Sequence, residues 1–520
     1  MTDIIEVGVA GPQGPQGIPG PTGPPDTGAV AAHAALTTSV HGIADTSLLA
    51  KLPNVAENHY YVSTHGNDSN DGLTWGSAKA TAASALAAAG QSPSIIEFGH
   101  GVFNITTPDA YGNGISIGVY GTTPSTVSNL NYGTVLKGQG LNATFLETSC
   151  DLTAAVAAYT STCQVENLAI QVNSHTVQFG VLVDAPFQPG VAGMPSIWAV
   201  NNCSIRNVTC APALTGVLVN GFGLGSQWSG GQPSVATCDM YHIVANNCTN
   251  AGVTFGGPNC GGNVLVNTIF GGYLATCAYG ILSTNADFRA YGIGMGYNGF
   301  DVCLNGFGGF DNIIQGCRSE NSAALLKVNA SSVAQNVSIR DYDFTSSITA
   351  PGKLNPAGGY LITMNQGGVL KLDNVSLRTG AFTDYQPCII VSSGYDDCGT
   401  HVIADGLTTT APLAQLFSGS HGSSRALVTG YTQLPASGSV AHPFLQSITG
   451  PTLLQGQSAA QASFNGTSRY LMLPVTGGGA TASRPSASTV TVGAPYFDTT
   501  LGIPIWSTGS AWVNSAGVAV

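Results

Sequence analysis

Among the 26 Asp and Glu of this 520-residue chain, five group closely enough to be weighed for acid–base work: Asp301, Asp311, Glu320, Asp341 and Asp343. Cleaving a glycosidic bond takes two carboxyl groups roughly 5–9.5 Å apart, one to protonate the leaving oxygen and one to act as base or nucleophile. If Asp341-Tyr342-Asp343 lies in a strand, alternation of side chains puts both carboxylates on one face, about 7 Å apart. The same five residues serve equally well as solvated surface groups or turn caps. No motif singles them out, so no catalytic residue is assigned.

Other reactive types are less suggestive. Cys238 and His242 stand four apart, but a thiolate nucleophile needs an activating His in contact, and both fit interior or turn positions. The run His65-Gly66-Asn67-Asp68-Ser69-Asn70-Asp71-Gly72 has a cation-loop look, yet turn chemistry accounts for its Asn and Asp. His33 and His41 lack Cys or carboxylate partners, and the 12 Cys form no CxxC pair. No metal site and no cofactor is expected, and the thiols are read as small buried hydrophobes. Residues 288–310 hold Phe288, Tyr291, Tyr297, Phe300, Phe307 and Phe310 among many Gly. Buried, they form an interior ladder. Exposed, Tyr291, Tyr297 and Phe307 are candidate glycan contacts, since aromatic faces stack on sugar CH groups.

Composition narrows the function classes. The 14 Lys+Arg form no cluster and the net charge is −12, which argues against nucleic acid. Charged residues make up 8% and apolar ones 43%, unlike a disordered chain. No apolar run of ~18–20 residues occurs, so membrane insertion is not expected. Met1-Thr2-Asp3-Ile4-Ile5-Glu6 has no basic or apolar leader segment, so no signal peptide is expected. Gly is abundant, 69 residues, and must be doing backbone work.

The elements that would position these residues repeat loosely. An apolar-x-Asn-apolar-x-apolar pattern occurs at Val165–Ile170, Ile205–Cys210 and Leu372–Leu377, with a near match at Leu265–Phe270. Gly followed by a short apolar strand starts at Gly180, Gly216, Gly252 and Gly280. Asn before Gly, over and over, predicts a solenoid. Strands stack at ~4.8 Å, alternate residues form interior columns, and Asn and Gly turn the corners. At ~24 residues per coil, residues 95–410 give roughly 13 coils and ~60 Å. Adjacent coils would also bring carboxylates within hydrolytic spacing.

Gly8, Gly11, Gly14, Gly17, Gly20 and Gly23 recur at period three among prolines. Only Gly fits where three polyproline-like chains meet, so the run predicts a collagen-like triple helix, roughly 55 Å long at ~3.1 Å per residue. Three copies of the chain are therefore expected.

Ala32–Ile43 resembles a segment of bacteriophage tail-fibre proteins found near collagen-like stems. Tyr60–Gly72, an Ala-rich helix over 77–89 ending at Gly90, the strand Ile95–Phe98 and Lys137-Gly138-Gln139-Gly140 resemble the capped entry of pectate-lyase-like right-handed parallel β-helices. Residues 484–513 resemble the small C-terminal hairpin of many phage tail proteins. Its two Trp, Trp506 and Trp512, suggest a core borrowed from trimer mates or a docking surface. The expected fold is all-β, a right-handed parallel β-helix. The expected order is stem (1–25), connector (26–58), capped entry (59–104), β-helix (105–410), irregular β region (411–483) and C-terminal hairpin module (484–520). The resemblance to phage tail fibres and tailspikes implies a homotrimer at the virion tail tip, assembled in the host cytoplasm. It implies contact with other tail or baseplate proteins and with a host-surface glycan. Three roles are open: passive adhesin, polysaccharide depolymerase (hydrolase or lyase), or structural tail component.

Overall fold

The structure is a computed structural model. It describes residues 58–90, 92–118, 133–185, 197–213, 215–225, 232–257, 264–306, 311–330, 335–346, 361–365, 368–379, 390–392, 400–409, 417–419, 425–433, 447–448, 452–455, 478–490 and 492–520. The chain divides into two units, Met1–Glu57 and Asn58–Val520. The first, with Gly8 to Gly23 and the tail-fibre-like segment, lies outside the described residues, as does Phe307.

Asn58–Val62 pairs in parallel with Ser94–Phe98, and the one α-helix among the described residues, Ala82–Ala89, packs its buried Ala85 and Leu86 into the same core. Thr81 caps the helix by accepting from the Ser84 N–H, and Gly90 ends it at φ +63°. The helix starts later than the Ala content suggests. The Asp68 carboxylate accepts the N–H groups of Ala80 and Thr81 and the Thr81 hydroxyl, each at 2.9 Å. Lys79, itself buried, donates to the carbonyls of Asp68 and Asn70 at 3.2 and 2.7 Å. These bonds hold residues 78–81 extended. They also put an ammonium where the loop's oxygens converge, so its polar content is spent on a side-chain cation.

From there the chain alternates between two sheets of 23 and 11 strands. In the smaller, Leu152–Ala158, Thr176–Val183, Val217–Leu224, Ala251–Phe255, Tyr279–Thr284, Phe300–Gly306 and Ala324–Ala330 pair in parallel, each with the next. In the larger, Gln164–Asn173, Ser204–Ala213, Asp239–Asn246 and Val264–Ala275 do the same. One visit to each sheet makes one turn, so the pairing is that of a parallel β-helix. Parallel pairing continues through Arg425–Thr429 and Tyr431–Gln433. Two antiparallel strands, Thr452–Gln455 and Ser447–Ile448, then break the parallel order.

From Gln164–Asn173 onward, passages through the larger sheet bend at a residue with left-handed backbone. By register these stack in one column: Asn167, Asn207, His242, Gly271, Gly292, Gly316, Asp341, Asn374, Gly406 and Gly430. Their φ values run from +50° to +65°. Asn, Asp and Gly tolerate this region where other residues pay ~1–2 kcal/mol. The recurring Asn is thus this corner, and Asn207 Nδ2 donates to Asn167 Oδ1 at 3.0 Å along it. The near match at Asn267 is not part of the column. Gly271 takes the corner there, while buried Asn267 accepts the Cys238 N–H and donates to the Val235 carbonyl, both at 3.0 Å.

The interior is a stack of apolar columns. Phe255 and Phe288 stack at 5.2 Å, while Cys163, Cys203 and Cys238 precede paired positions on successive turns. Of the nine described cysteines, eight are buried. Burial holds the Cys210 thiol far above its ordinary range and pushes Cys303 up to about 12. Cys238 is inside and His242 is exposed at the corner, so they form no nucleophile pair.

Strands Gly478–Gly479, Pro495–Asp498, Ile503–Ser507 and Trp512–Val513 make a separate small sheet. Its core is its own rather than borrowed: Ala487, Tyr496, Ile505 and Trp512 are buried together. Asp498 is wholly enclosed. Burial raises its carboxyl, but Thr481, the N–H groups of Leu501 and Thr500, and Arg484 outweigh burial and hold it below the ordinary value.

Candidate functional site

The corner column separates two outward lanes on the larger sheet, because alternation restarts after each left-handed residue. In Gln335–Ser346, Val337, Ile339, Tyr342 and Phe344 point inward and the bend is Asp341. Asp341 therefore sits at the corner and Asp343 on the lane beyond it. The expectation that both share one strand face fails for that reason. Asp341 accepts from Asn374 Nδ2 at 2.9 Å and from Gln315 Nε2 at 3.4 Å. Asp343 accepts from Arg378 at 2.6 Å.

The lane before the corner carries an aromatic stack. Tyr241, Phe270 and Tyr291 hold the same position on successive turns, with centroids 5.0 and 5.5 Å apart. Arg206 lies 4.7 Å above the Tyr241 ring and closes that end. Ring faces inside such a stack are covered by each other, so the stack is chiefly packing. Tyr291, at the end opposite Arg206, is followed in register by Gln315 rather than another ring.

The lane beyond the corner is built differently. Tyr273 points outward and is 39% exposed. On the next turn its register partner is Gly294, and Gly296 follows two residues on, paired with Ala275. A Cβ at Gly294 would meet Tyr273 Cδ2 at 2.8 Å, and one at Gly296 would meet its hydroxyl at 2.6 Å. The ring thus occupies the space two side chains would fill. Tyr297, left-handed at φ +55° and 41% exposed, stands at the end of that strand. On the following turn come Arg318 and Glu320, in contact at 2.6 Å, with Glu320 paired to Gly296. Burial, and then the nearby Glu320 and Tyr297, push the Tyr273 phenol above its ordinary range. It stays protonated at neutral pH.

The remaining carboxylate candidates are scattered. Asp311 opens the strand Asp311–Gln315, exposed and away from Glu320 along the turn. Asp301 is inside the coil, with no exposure. Ser322 and Asn298 donate to its Oδ1 at 2.6 and 3.2 Å, and the Tyr342 hydroxyl donates to Oδ2 at 3.0 Å. Burial pushes its carboxyl up to about 6 despite those donors. A polymer outside the coil cannot reach it, so Asp301 is a structural acid. Of the aromatic candidates, Phe288 and Phe300 are buried, whereas Tyr291 and Tyr297 face outward. Among the described residues no group of His, Cys, Asp and Glu is arranged to hold a metal.

Tyr273, Gly294, Gly296 and Arg318 were not legible as a site. Tyr273 and Gly294 are 21 residues apart and meet only through register, and variable turn lengths hide that period.

No protein-family model and no curated protein sequence matches the chain. Among solved structures, the A-module of the mannuronan C-5 epimerase AlgE4 of Azotobacter vinelandii is similar over 69% of this chain and 91% of its own, at 11% identity and TM-score 0.46. Pectate lyase Pel9A is similar over 74% and 81%, at 11% identity and TM-score 0.28. Tailspike protein 3 of bacteriophage CBA120 is similar over 82% and 64%, at 13% identity and TM-score 0.21.

Proposed function

We propose that this chain is a bacteriophage tail-fibre or tailspike protein that works in threes and grips a host-surface glycan along the lane beyond the corner column. The observation that carries the glycan reading is Tyr273 laid over Gly294 and Gly296, with Tyr297 and Glu320 beside it. A ring backed by bare backbone is a rigid platform for the CH face of a sugar. Glu320 and Arg318 supply acceptor and donor groups at its edge. A right-handed wind is the hand parallel crossovers adopt, and a solenoid offers such a lane as a rigid, extended surface. The three-chain reading rests on the period-three glycines from Gly8 to Gly23. With it goes a place at the tail tip, among other tail or baseplate proteins.

A polysaccharide depolymerase is the second reading, favoured by the exposed Glu320 and Asp343 on one lane. Against it, each of these carboxylates is engaged by an arginine, Arg318 or Arg378, and Asp301 is sealed inside. A purely structural tail role predicts no glycan binding at all. Screening the purified chain on an array of bacterial surface polysaccharides separates the three. Retention without new reducing ends or unsaturated sugars supports gripping, and their release would establish cleavage. Tyr273→Ala should weaken retention by roughly tenfold with unchanged circular dichroism. Undiminished retention by that variant removes the lane from consideration.

A further inference from the structure

The outer face of the smaller sheet holds a cation that no acid among the described residues answers. Alternation along Phe300–Gly306 and Ala324–Ala330 turns Cys303 and Asn305, then Lys327 and Asn329, away from the interior, which Val302, Leu304, Leu326 and Val328 fill. Register sets Cys303 beside Lys327 and Asn305 beside Asn329 on adjoining turns. Lys327 Nζ stands 5.6 Å from the centroid of the buried Phe300 ring, a cation–π contact that steadies its stem. The chain has 26 acids against 14 bases. Lys137, Arg318, Arg378 and Arg484 each meet a carboxylate, whereas Lys327 meets none among the described residues. Strands Tyr279–Thr284, Phe300–Gly306, Ala324–Ala330 and Ile362–Met364 hold one acid, Asp301, and it is sealed inside.

The two asparagines beside it present the same group. Burial pushes the Cys303 thiol up to about 12, so it keeps its proton and donates to Asn305 Oδ1 at 3.5 Å. Asn365, on the turn after Asn329, donates from Nδ2 to Asn329 Oδ1. With both amide oxygens engaged, the Nδ2 groups of Asn305 and Asn329 are left as donors, neither with an acceptor among the described residues. An ammonium and two amide N–H groups on neighbouring positions offer donors to an anion and nothing to a cation. We infer that Lys327, Asn305 and Asn329 form an oxyanion site on the smaller sheet, which takes the carboxylate or phosphate substituent of an acidic sugar. Charge complementarity selects the anionic group, since no carboxylate on these strands faces outward to repel it. The carrier follows from Tyr279 and Leu282, both partly exposed two turns before Lys327, which give the CH groups of a sugar ring an apolar bed. The site lies on the other sheet from Tyr273, so the inference does not rest on the glycan lane.

The test is isothermal titration calorimetry on the full chain at low salt, with trigalacturonate, glucose 6-phosphate and uncharged maltotriose as probes. The expected result is binding of at least one acidic probe and none of maltotriose. Lys327→Met should weaken that binding by roughly tenfold or more, with unchanged circular dichroism, and Lys327→Arg should restore it. Asn329→Asp, at an exposed position, puts a like charge beside the anion and should abolish binding even if Lys327→Met fails to fold. Binding of trigalacturonate alone assigns the site to a carboxylate, of glucose 6-phosphate alone to a phosphate, and of both to any acidic sugar. The absence of heat from both acidic probes, equal binding of maltotriose, or unchanged affinity in Asn329→Asp overturns the inference. The glycan lane is judged separately by Tyr273→Ala, so either reading can fail without the other.

Discussion

Replacing Asp301 with Asn should abolish a pH dependence that the coil carries at one interior position. Burial raises the Asp301 carboxyl from 3.8 to about 6, and the donors Ser322, Asn298 and Tyr342 only partly oppose this. In the unfolded chain the same group titrates near ~3.9. Between those values the native state keeps a proton that the unfolded chain has lost. Stability from this group is therefore fully present below about pH 4 and is lost as pH rises through about 6. A gap of about 2 units, at ~1.4 kcal/mol each, amounts to about 3 kcal/mol. Asn at this position still accepts from Ser322 and Asn298 but holds no titrating proton. The stability of Asp301→Asn relative to the parent chain should thus climb by about 3 kcal/mol between pH 4 and pH 8.

Stacked turns can open piecemeal, so a global melt would blur this quantity. The suitable readout is hydrogen exchange of amides in Phe300–Gly306 and Arg318–Ser322, corrected for intrinsic rates and compared between the two proteins at each pH. The many surface carboxylates cancel in that difference. A gap between the proteins that stays constant from pH 4 to pH 8 would refute the buried-acid argument.

Two further outcomes follow from backbone and capping geometry. Val266 is a β-branched residue at φ +59° and 41% exposed. Val266→Asn should therefore stabilise its turn by about 1 kcal/mol, seen as slower exchange across Val264–Ala275; faster exchange contradicts the strain. Lys79→Met strips the Asp68 and Asn70 carbonyls of their donor and should cost about 2–3 kcal/mol in the N-terminal cap. Limited proteolysis within residues 63–80 should speed up accordingly, and an unchanged cleavage rate would mean the loop does not depend on the ammonium.

What the chain disclosed in advance was the corner rather than the surface. Asn167, Asn207 and Asn374 are visible as a repeat because left-handed backbone restricts the residue types that can sit there. The other seven of the ten corner residues carry no such signature: Gly271, Gly292, Gly316, Gly406 and Gly430, with His242 and Asp341, do the same work without the flanking pattern. Asn267 imitated the signature from an interior position where its amide bonds the neighbouring turns. The shift of one residue between Val264 and Asn267 in the pairing with the next turn is what separates the two. Asp341 and Asp343 part at the same corner, because alternation does not carry across a bend that the dipeptide spacing does not reveal. Asp301 was hidden for another reason. A carboxyl reads as exposed by default, and the residues that make its burial tolerable, Asn298, Ser322 and Tyr342, lie up to 41 positions away.

The same geometry explains why a site on this fold leaves so faint a trace. Successive turns differ in length because loops are inserted between strands, yet from Asn167 to Gly430 the corner column resets the register. Residues facing each other across one strand spacing are thus fixed in space while their sequence separation drifts, from 40 between Asn167 and Asn207 to 21 between Tyr273 and Gly294. At the Tyr273 platform the decisive feature is moreover an omission, since Gly294 and Gly296 matter for the side chains they lack. Selection for such a surface would act on turn register and on the absence of Cβ atoms.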